Sequence, residues 1–169
     1  DGLGEELAAQ GEYTDDMYKG LKKADACLKA DSHWEREQSR PGSNIPINQI
    51  YETLASAVVC WQGAEKKAQK LGDDFAPVTR WVSARTRYIE SYRSFVWSLD
   101  AKMSGDRAQV CRRLTTAKEQ AEAATAAAAD LATTYTTPSA QALGAQLDSE
   151  ARGLRQIVGD EFLNQKCSP

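Results

Sequence analysis

Four cysteines, a single histidine and 24 carboxylates are the groups in this 169-residue chain from which a reactive centre could be assembled. Cys27, Cys60, Cys111 and Cys167 stand far apart, and none forms the Cys-x-x-Cys pair that zinc ribbons and thioredoxin-like redox sites require. An even number of dispersed cysteines fits two disulfides and so an oxidising compartment, the alternative being four buried thiols in a cytosolic chain. His33 is alone, which removes the paired Glu-x-x-His ligands of di-iron bundles, the two histidines of zincins and the base of a serine triad. Ala30, not an acid, stands one turn before it, and Asp31, Glu35, Arg36 and Glu37 give it the setting of an exposed histidine. Two carboxylates would suffice for glycoside hydrolysis, but sequence spacing singles out no pair among the 24. There is no Gly-x-Ser-x-Gly elbow, phosphate-cradling glycine loop or Cys-x-x-Cys-His haem site. No catalytic, cofactor-binding or metal-ligating residue is assigned, and the expectation is a non-enzymatic protein without a cofactor.

Recognition is the chemistry that remains. Between positions 81 and 97 the chain concentrates Trp81, Tyr88, Tyr92, Phe95 and Trp97. At helical spacing most of these share a wide apolar face, but Trp97 falls with Arg93 and Glu90 on the polar side. A tryptophan beside an arginine is the composition enriched at the energetic centres of protein interfaces. Trp97, Arg93 and Glu90 are therefore the candidate partner-binding residues. The competing reading packs Trp97 under the N-terminal segment or under the last helix. Arg85 is the reverse case, lying among Val78, Val82, Ile89 and Tyr92 on the apolar face, where a guanidinium must snorkel out or meet a carboxylate. Charge is also blocked along the chain: six acids and no base over 1–16, nine bases against three acids over 78–118, seven acids against three bases over 119–169. Such blocks either solvate complementary faces of one fold or steer an acidic partner to the basic stretch. A net charge of −3 gives no general attraction for nucleic acid, and none is expected as a partner.

Helical periodicity supplies the elements that must hold these residues. Tyr13, Met17, Leu21, Ala24 and Leu28 share one face of a first helix that runs to about Gln38, before Pro41-Gly42 breaks it. Residues 1–12 add either a short extra helix or a flexible arm. A second helix begins near Pro46, carries Ile47, Ile50, Leu54, Val58, Trp61, Ala64, Ala68 and Leu71, and ends at Gly72. A third follows Pro77 with Val78, Trp81, Val82, Tyr88, Ile89, Tyr92, Phe95, Val96, Leu99 and Met103, a face wide enough to touch two neighbours and make this helix the centre. Asp106 and Gln109 have the form of a capping box before a fourth helix. Its stripe is Val110, Leu114, Ala117, Ala121, Ala124, Ala128, Leu131 and Tyr135. Thr137-Pro138 restarts the chain into a fifth, lined by Ala140, Leu143, Leu147, Leu154, Ile157 and Phe162. No alternation of period two appears. The prediction is an all-α antiparallel bundle of four to five helices, one domain over 1–169.

The cysteines can then be paired. If the first two helices form a hairpin about Ser43, Cys27 lies 16 residues before the turn and Cys60 17 after it, at similar heights for a rise of about 1.5 Å per residue. If the fourth and fifth turn near Thr137, Cys111 lies 26 residues before and Cys167 30 after, near the opposite end. The predicted disulfides are Cys27–Cys60 and Cys111–Cys167, each stabilising by roughly 3–4 kcal/mol in the chain-entropy account. No apolar run approaches the ~20 residues of a membrane span, so no transmembrane segment is expected. The chain opens at Asp1-Gly2-Leu3-Gly4 without methionine, as a mature chain relieved of its leader would. With the cysteines, this points to a secreted, periplasmic or cell-envelope location.

Residues 84–118, about a fifth of the chain, contain Tyr88-Ile89-Glu90-Ser91-Tyr92-Arg93 and then Cys111-Arg112-Arg113-Leu114-Thr115. This resembles the LprI-type lysozyme-inhibitor family of bacterial envelope proteins, in which a helix with an aromatic-aliphatic-x-Tyr-Arg pattern precedes a cysteine opening a Leu-Thr-containing helix. Here the Tyr-Arg spacing is one residue longer, the cysteine shortly after it is absent, and Cys111 stands one residue closer to Leu-Thr. The resemblance implies an inhibitor of a secreted hydrolase such as lysozyme and carries over no binding residue. From the residues themselves, the leading expectation is a binding or adaptor protein that recognises a protein partner. A small-molecule carrier or sensor, with an inter-helix pocket around Trp81, Tyr88 and Tyr92, is the alternative of a different class. A deep apolar cavity would favour the carrier, and an exposed Trp97 the protein binder.

Overall fold

The computed structural model describes residues 23–24, 26–31, 33, 36, 41–42, 44–70, 76–134 and 138–168. Helical residues between 23 and 36 form α1. They are followed by α2 (Ile47–Ala68), α3 (Ala76–Met103), α4 (Arg107–Thr134) and α5 (Pro138–Asn164). No strand occurs among the described residues, and the all-α bundle with its two disulfides is as expected. The expected arm over 1–12 and the face made by Tyr13, Met17 and Leu21 lie outside the described residues, whereas α2 is corrected at its end: it stops at Ala68 with Gln69 as C-cap, short of the expected Gly72.

The helix directions follow from side-chain contacts. Thr79 meets the Ala68 carbonyl, Ser83 meets Glu65 and Arg93 meets Tyr51, so α2 and α3 are antiparallel. Arg87 meets Gln120, Ser91 the Ala117 carbonyl and Trp97 Arg113, so α3 and α4 are antiparallel too. Arg85 with Glu150 and Lys102 with Glu161 set α5 parallel to α3. Packing against α2, α4 and α5 makes α3 the central helix its wide apolar face called for.

Packing of α4 follows its alanine row. Every stripe position from Val110 to Leu131 is buried, with Leu114, Ala117, Ala121, Ala124, Ala128 and Leu131 fully excluded from solvent. Methyl-sized side chains contribute little buried area but let a neighbouring backbone approach. The Ser91 hydroxyl of α3 uses that proximity, donating to the Ala117 carbonyl at 2.7 Å. On α5 the expected stripe is corrected at one position: Ile157 is 53% exposed and Val158 is fully buried instead. Leu147, Ala151, Leu154, Val158 and Phe162 step by four, three, four and four, and that seam turns Ile157 outward. Met103, also expected in the core, is 75% exposed because it closes the last turn of α3, past Ala101, the last of its buried residues.

Helix ends carry their own signals. Pro46 is the N-cap of α2 rather than its first turn, and its carbonyl accepts from Gln49 and Ile50. Asp106 Oδ1 accepts the Gln109 amide at 2.9 Å, one half of the anticipated capping box. Two helices end in the same six-residue hydrogen-bonded motif. After α3, the Asp106 amide reaches the Ala101 carbonyl and the Gly105 amide that of Lys102, with Gly105 left-handed at φ 76°. After α5, Cys167 reaches Phe162 and Lys166 reaches Leu163, but the left-handed position is held by Lys166 at φ 51°. That motif aims Cys167 back at α4. Cys111–Cys167 (Cα–Cα 5.3 Å) thus covers the cluster of Val110, Leu114 and Phe162. Cys27–Cys60 (Cα–Cα 5.8 Å) joins α1 to α2 at the level of Ile89, midway along α3.

Candidate functional site

Glu90, Arg93 and Trp97 stand one turn apart on α3, and the fold brings that row to the seam where α2, α3 and α4 meet. There it lines a groove of about 270 Å³ together with Gln62 of α2 and Arg113 and Gln120 of α4. Trp97 is neither an exposed plate nor core. It is half-buried, with the Tyr51 ring 5.3 Å away on one side and the Arg113 guanidinium 3.0 Å from its own ring centroid. Arg93 lies 4.9 Å from the Tyr51 ring and donates from Nη2 to its hydroxyl at 2.8 Å. Two rings therefore stand between two cations in the order Arg93, Tyr51, Trp97, Arg113, the outer contacts being attractions between guanidinium charge and ring quadrupole and the middle one a tilted ring pair. The ring contact of Arg113 and the Tyr51 hydrogen bond of Arg93 restrict the freedom of each guanidinium.

The groove is electrostatically lopsided. Glu90 is the only acid among its described lining residues, and its Oε1 is taken by Gln62 Nε2 at 2.9 Å. Arg93 and Arg113 enter no ion pair among the described residues, and the Nε of each is buried without an acceptor. Partial burial holds the Arg113 guanidinium below its ordinary value; Tyr51 opposes this, while Arg112 and Arg93 add to it by repulsion. Arginine nonetheless keeps its proton at any physiological pH. Sequence reasoning placed Glu90, Arg93 and Trp97 on one face, as the groove has them, but did not single out Tyr51 and Arg113. Each of those flanks a buried stripe, one turn from Ile47 and from Val110, and only the register between helices shows that they converge.

A second polar centre is buried. Arg85 is 5% exposed and donates from Nε (3.3 Å) and Nη2 (2.9 Å) to Asp31 Oδ2 and from Nη1 to Glu150 Oε2 at 2.6 Å. Trp61 Nε1 also donates to Asp31 Oδ2 at 2.8 Å, and the guanidinium lies 5.0 Å from the Tyr88 ring. Burial alone would lower the Arg85 value, but Asp31 and Glu150 outweigh it and raise it above the ordinary one. The arginine on the apolar face thus meets two carboxylates, and the cluster ties α1, α2, α3 and α5 at one level.

An apolar cavity of about 160 Å³ adjoins this network, walled by the Cys27–Cys60 disulfide, Leu54, Ala57, Ile89 and Tyr92. Of the three aromatics expected around such a pocket, Tyr92 lines it. Trp81 instead packs edge-on against Trp61 at 5.5 Å, and Tyr88 lies under Arg85. His33 is exposed, and among the described residues no cluster of three or more His, Cys, Asp or Glu side chains could hold a metal. Nor is any described helix long and apolar enough to cross a membrane. Compared with known proteins, the chain matches no family model, no curated protein and no solved structure.

Proposed function

We propose that this chain is a non-enzymatic binding or adaptor protein of the periplasm, cell envelope or extracellular space, and that it recognises a protein partner at the α2–α3–α4 groove. The observation that carries the reading is the Arg93–Tyr51–Trp97–Arg113 stack at the edge of an open groove. Aromatic and arginine anchors dominate interface energies, and anchors already held in place lose less side-chain freedom on binding. The two disulfides support the oxidising location. Inhibition of a secreted hydrolase such as lysozyme is a special case of this reading, and a lytic assay with purified enzyme separates it from other partners. The deciding experiment is capture from envelope extract of the source organism on immobilised protein, with Trp97→Ala as control. A partner that binds the parent at least tenfold more tightly supports the groove; one that binds both equally removes it.

A carrier role has one observation in its favour, the apolar cavity beside Tyr92. Its roughly 160 Å³ compares with cavities of about 150 Å³ that take benzene and falls below the ~300 Å³ at which drug-sized sites begin. It would admit a small apolar ring and little more. Saturable stabilisation by benzene or indole, abolished by Ala57→Phe, is the outcome that favours this reading.

A further inference from the structure

The groove holds two guanidiniums and one carboxylate, Glu90, which forms an ion pair with neither among the described residues. Arg93 comes from α3 and Arg113 from α4, close enough for their charges to repel, and neither forms an ion pair among the described residues. Arg85, by contrast, sits in the same fold with two carboxylates within 3 Å. Two like charges converging on one groove weaken each other unless something negative lies between them. Arg93 is held against Tyr51 and Arg113 against Trp97, which restricts where their remaining N–H donors can point, and a guanidinium donates well to a carboxylate oxygen.

We propose that the groove between α2, α3 and α4 is a carboxylate-binding site, in which an aspartate or glutamate side chain of an acidic partner segment is clamped between Arg93 and Arg113. This rests on the protein-partner reading above and specifies its chemistry. The choice of a carboxylate follows from the lining. Glu90 stands at the same groove, with its Oε1 engaged by Gln62, and opposes added negative charge. A singly charged carboxylate meets less of that opposition than a doubly charged phosphate. Trp97, half-buried between Tyr51 and Arg113, offers an apolar wall for the methylenes of the incoming side chain. The surplus of bases over residues 78–118 draws such a segment in from a distance, over the ~10 Å reach of charge at moderate salt.

The test uses an acetylated and amidated tetraglutamate peptide, whose only carboxylates are on side chains, with tetraglutamine as control and inorganic phosphate as a competing oxyanion. Titration of the whole protein is followed by the Nε–Hε resonances of Arg93 and Arg113 and the indole resonance of Trp97. Saturable shifts with tetraglutamate and none with tetraglutamine are expected, the affinity falling as salt rises. Arg113→Gln and Arg93→Gln should each weaken binding about tenfold, the loss of one charge-assisted contact. Glu90→Gln should strengthen it, a gain that damage to the fold would not produce. Shifts with phosphate but not with the peptide would assign the groove to small oxyanions and overturn the proposal, as would equal binding of both peptides. If Trp97→Ala loses a captured partner while both arginine variants keep it, the partner-binding reading stands and the carboxylate clamp falls.

Discussion

Four tryptophans and four cysteines dominate this chain at the scale of single residues, and two of the tryptophans separate packing from recognition. Trp81 is 2% exposed, so Trp81→Ala removes a ring from the core and should cost about 3–5 kcal/mol of stability. Trp97→Ala gives up the contacts with Tyr51 and Arg113 but little core volume, and should cost about 1–2 kcal/mol. Denaturant unfolding of both variants checks this: equal losses would place Trp97 in the core and empty the groove of its anchor. Arg85 offers a second contrast. Asp31→Ala leaves its guanidinium buried with Glu150 alone and should cost about 3–5 kcal/mol, whereas Asp31→Leu combined with Arg85→Met removes both charges and should cost less than Asp31→Ala. A double variant less stable than Asp31→Ala would mean that the network holds the fold and does not merely satisfy a buried charge. At this scale the sequence was legible in kind but not in company. It marked Arg85 as a charge that must snorkel out or meet a carboxylate and placed Glu90, Arg93 and Trp97 on one face. Asp31 is 54 residues from Arg85 and Arg113 lies on another helix, and no periodicity within one helix reveals such partners.

Individual helices behave as their patterns dictate where the pattern is one stripe deep. The α4 stripe is buried from Val110 to Leu131 and the α2 stripe from Leu54 to Ala68, with Ile47 and Ile50 half-buried, whereas Ile157 and Met103 depart from expectation. In α5, Ile157 and Val158 are adjacent and equally apolar, so only the seam through Leu154 and Phe162 decides between them. Glycine position gives predictions of opposite sign. Gly153 and Gly159 lie inside α5 with open space where a Cβ would stand, so Gly153→Ala and Gly159→Ala should each stabilise by about 0.5–1 kcal/mol. Gly105 has equal room but a φ of 76°, and Gly105→Ala should destabilise by about 1 kcal/mol. Lys166 occupies the corresponding left-handed position after α5, so Lys166→Gly should stabilise by a similar amount. Thermal melts of these variants suffice, and a destabilised Lys166→Gly would show that its side chain does more than fill a turn. The Lys102–Glu161 pair between α3 and α5 sets a pH dependence. The hydrogen bond from Lys102 holds the Glu161 carboxyl below the usual carboxylate range. A lowered folded value means that the stabilisation is present above the ordinary glutamate range and is lost as pH falls through the lowered one. Glu161→Gln should therefore cost ~0.2–1 kcal/mol at neutral pH and nothing in strong acid. A cost unchanged between these pH values would assign it to packing.

For the whole molecule, the bundle and its two clamps follow from helix lengths and turn positions, which is why the cysteine pairing could be derived from heights along hairpins. Each disulfide should contribute roughly 3–4 kcal/mol by restricting the unfolded chain. Reduction should then lower the melting temperature markedly at unchanged helical circular dichroism at 25 °C, because the α2, α3 and α4 stripes still bury Trp61, Trp81 and Leu114. Loss of helix on reduction would show that the core depends on the bridges. The groove was less legible at this scale. Its width is set by how closely α3 approaches the alanine row of α4, a distance that depends on side chains absent from that row as much as on those present.

The two bridges also divide the chain into covalent rings and open links. Cys27–Cys60 closes one ring across α1 and α2, and Cys111–Cys167 closes another containing most of α4 and all of α5, while α3 belongs to neither. A protease that cuts inside a ring leaves its pieces tethered, and the product runs as a single species until a reductant is added. A cut in the turn at 104–106 opens an unbridged link, so that α3 and α4, and with them Arg93 and Arg113, are held together by packing alone. In a compartment without reductants, that turn is a point at which the covalent continuity of the groove rests on the backbone alone.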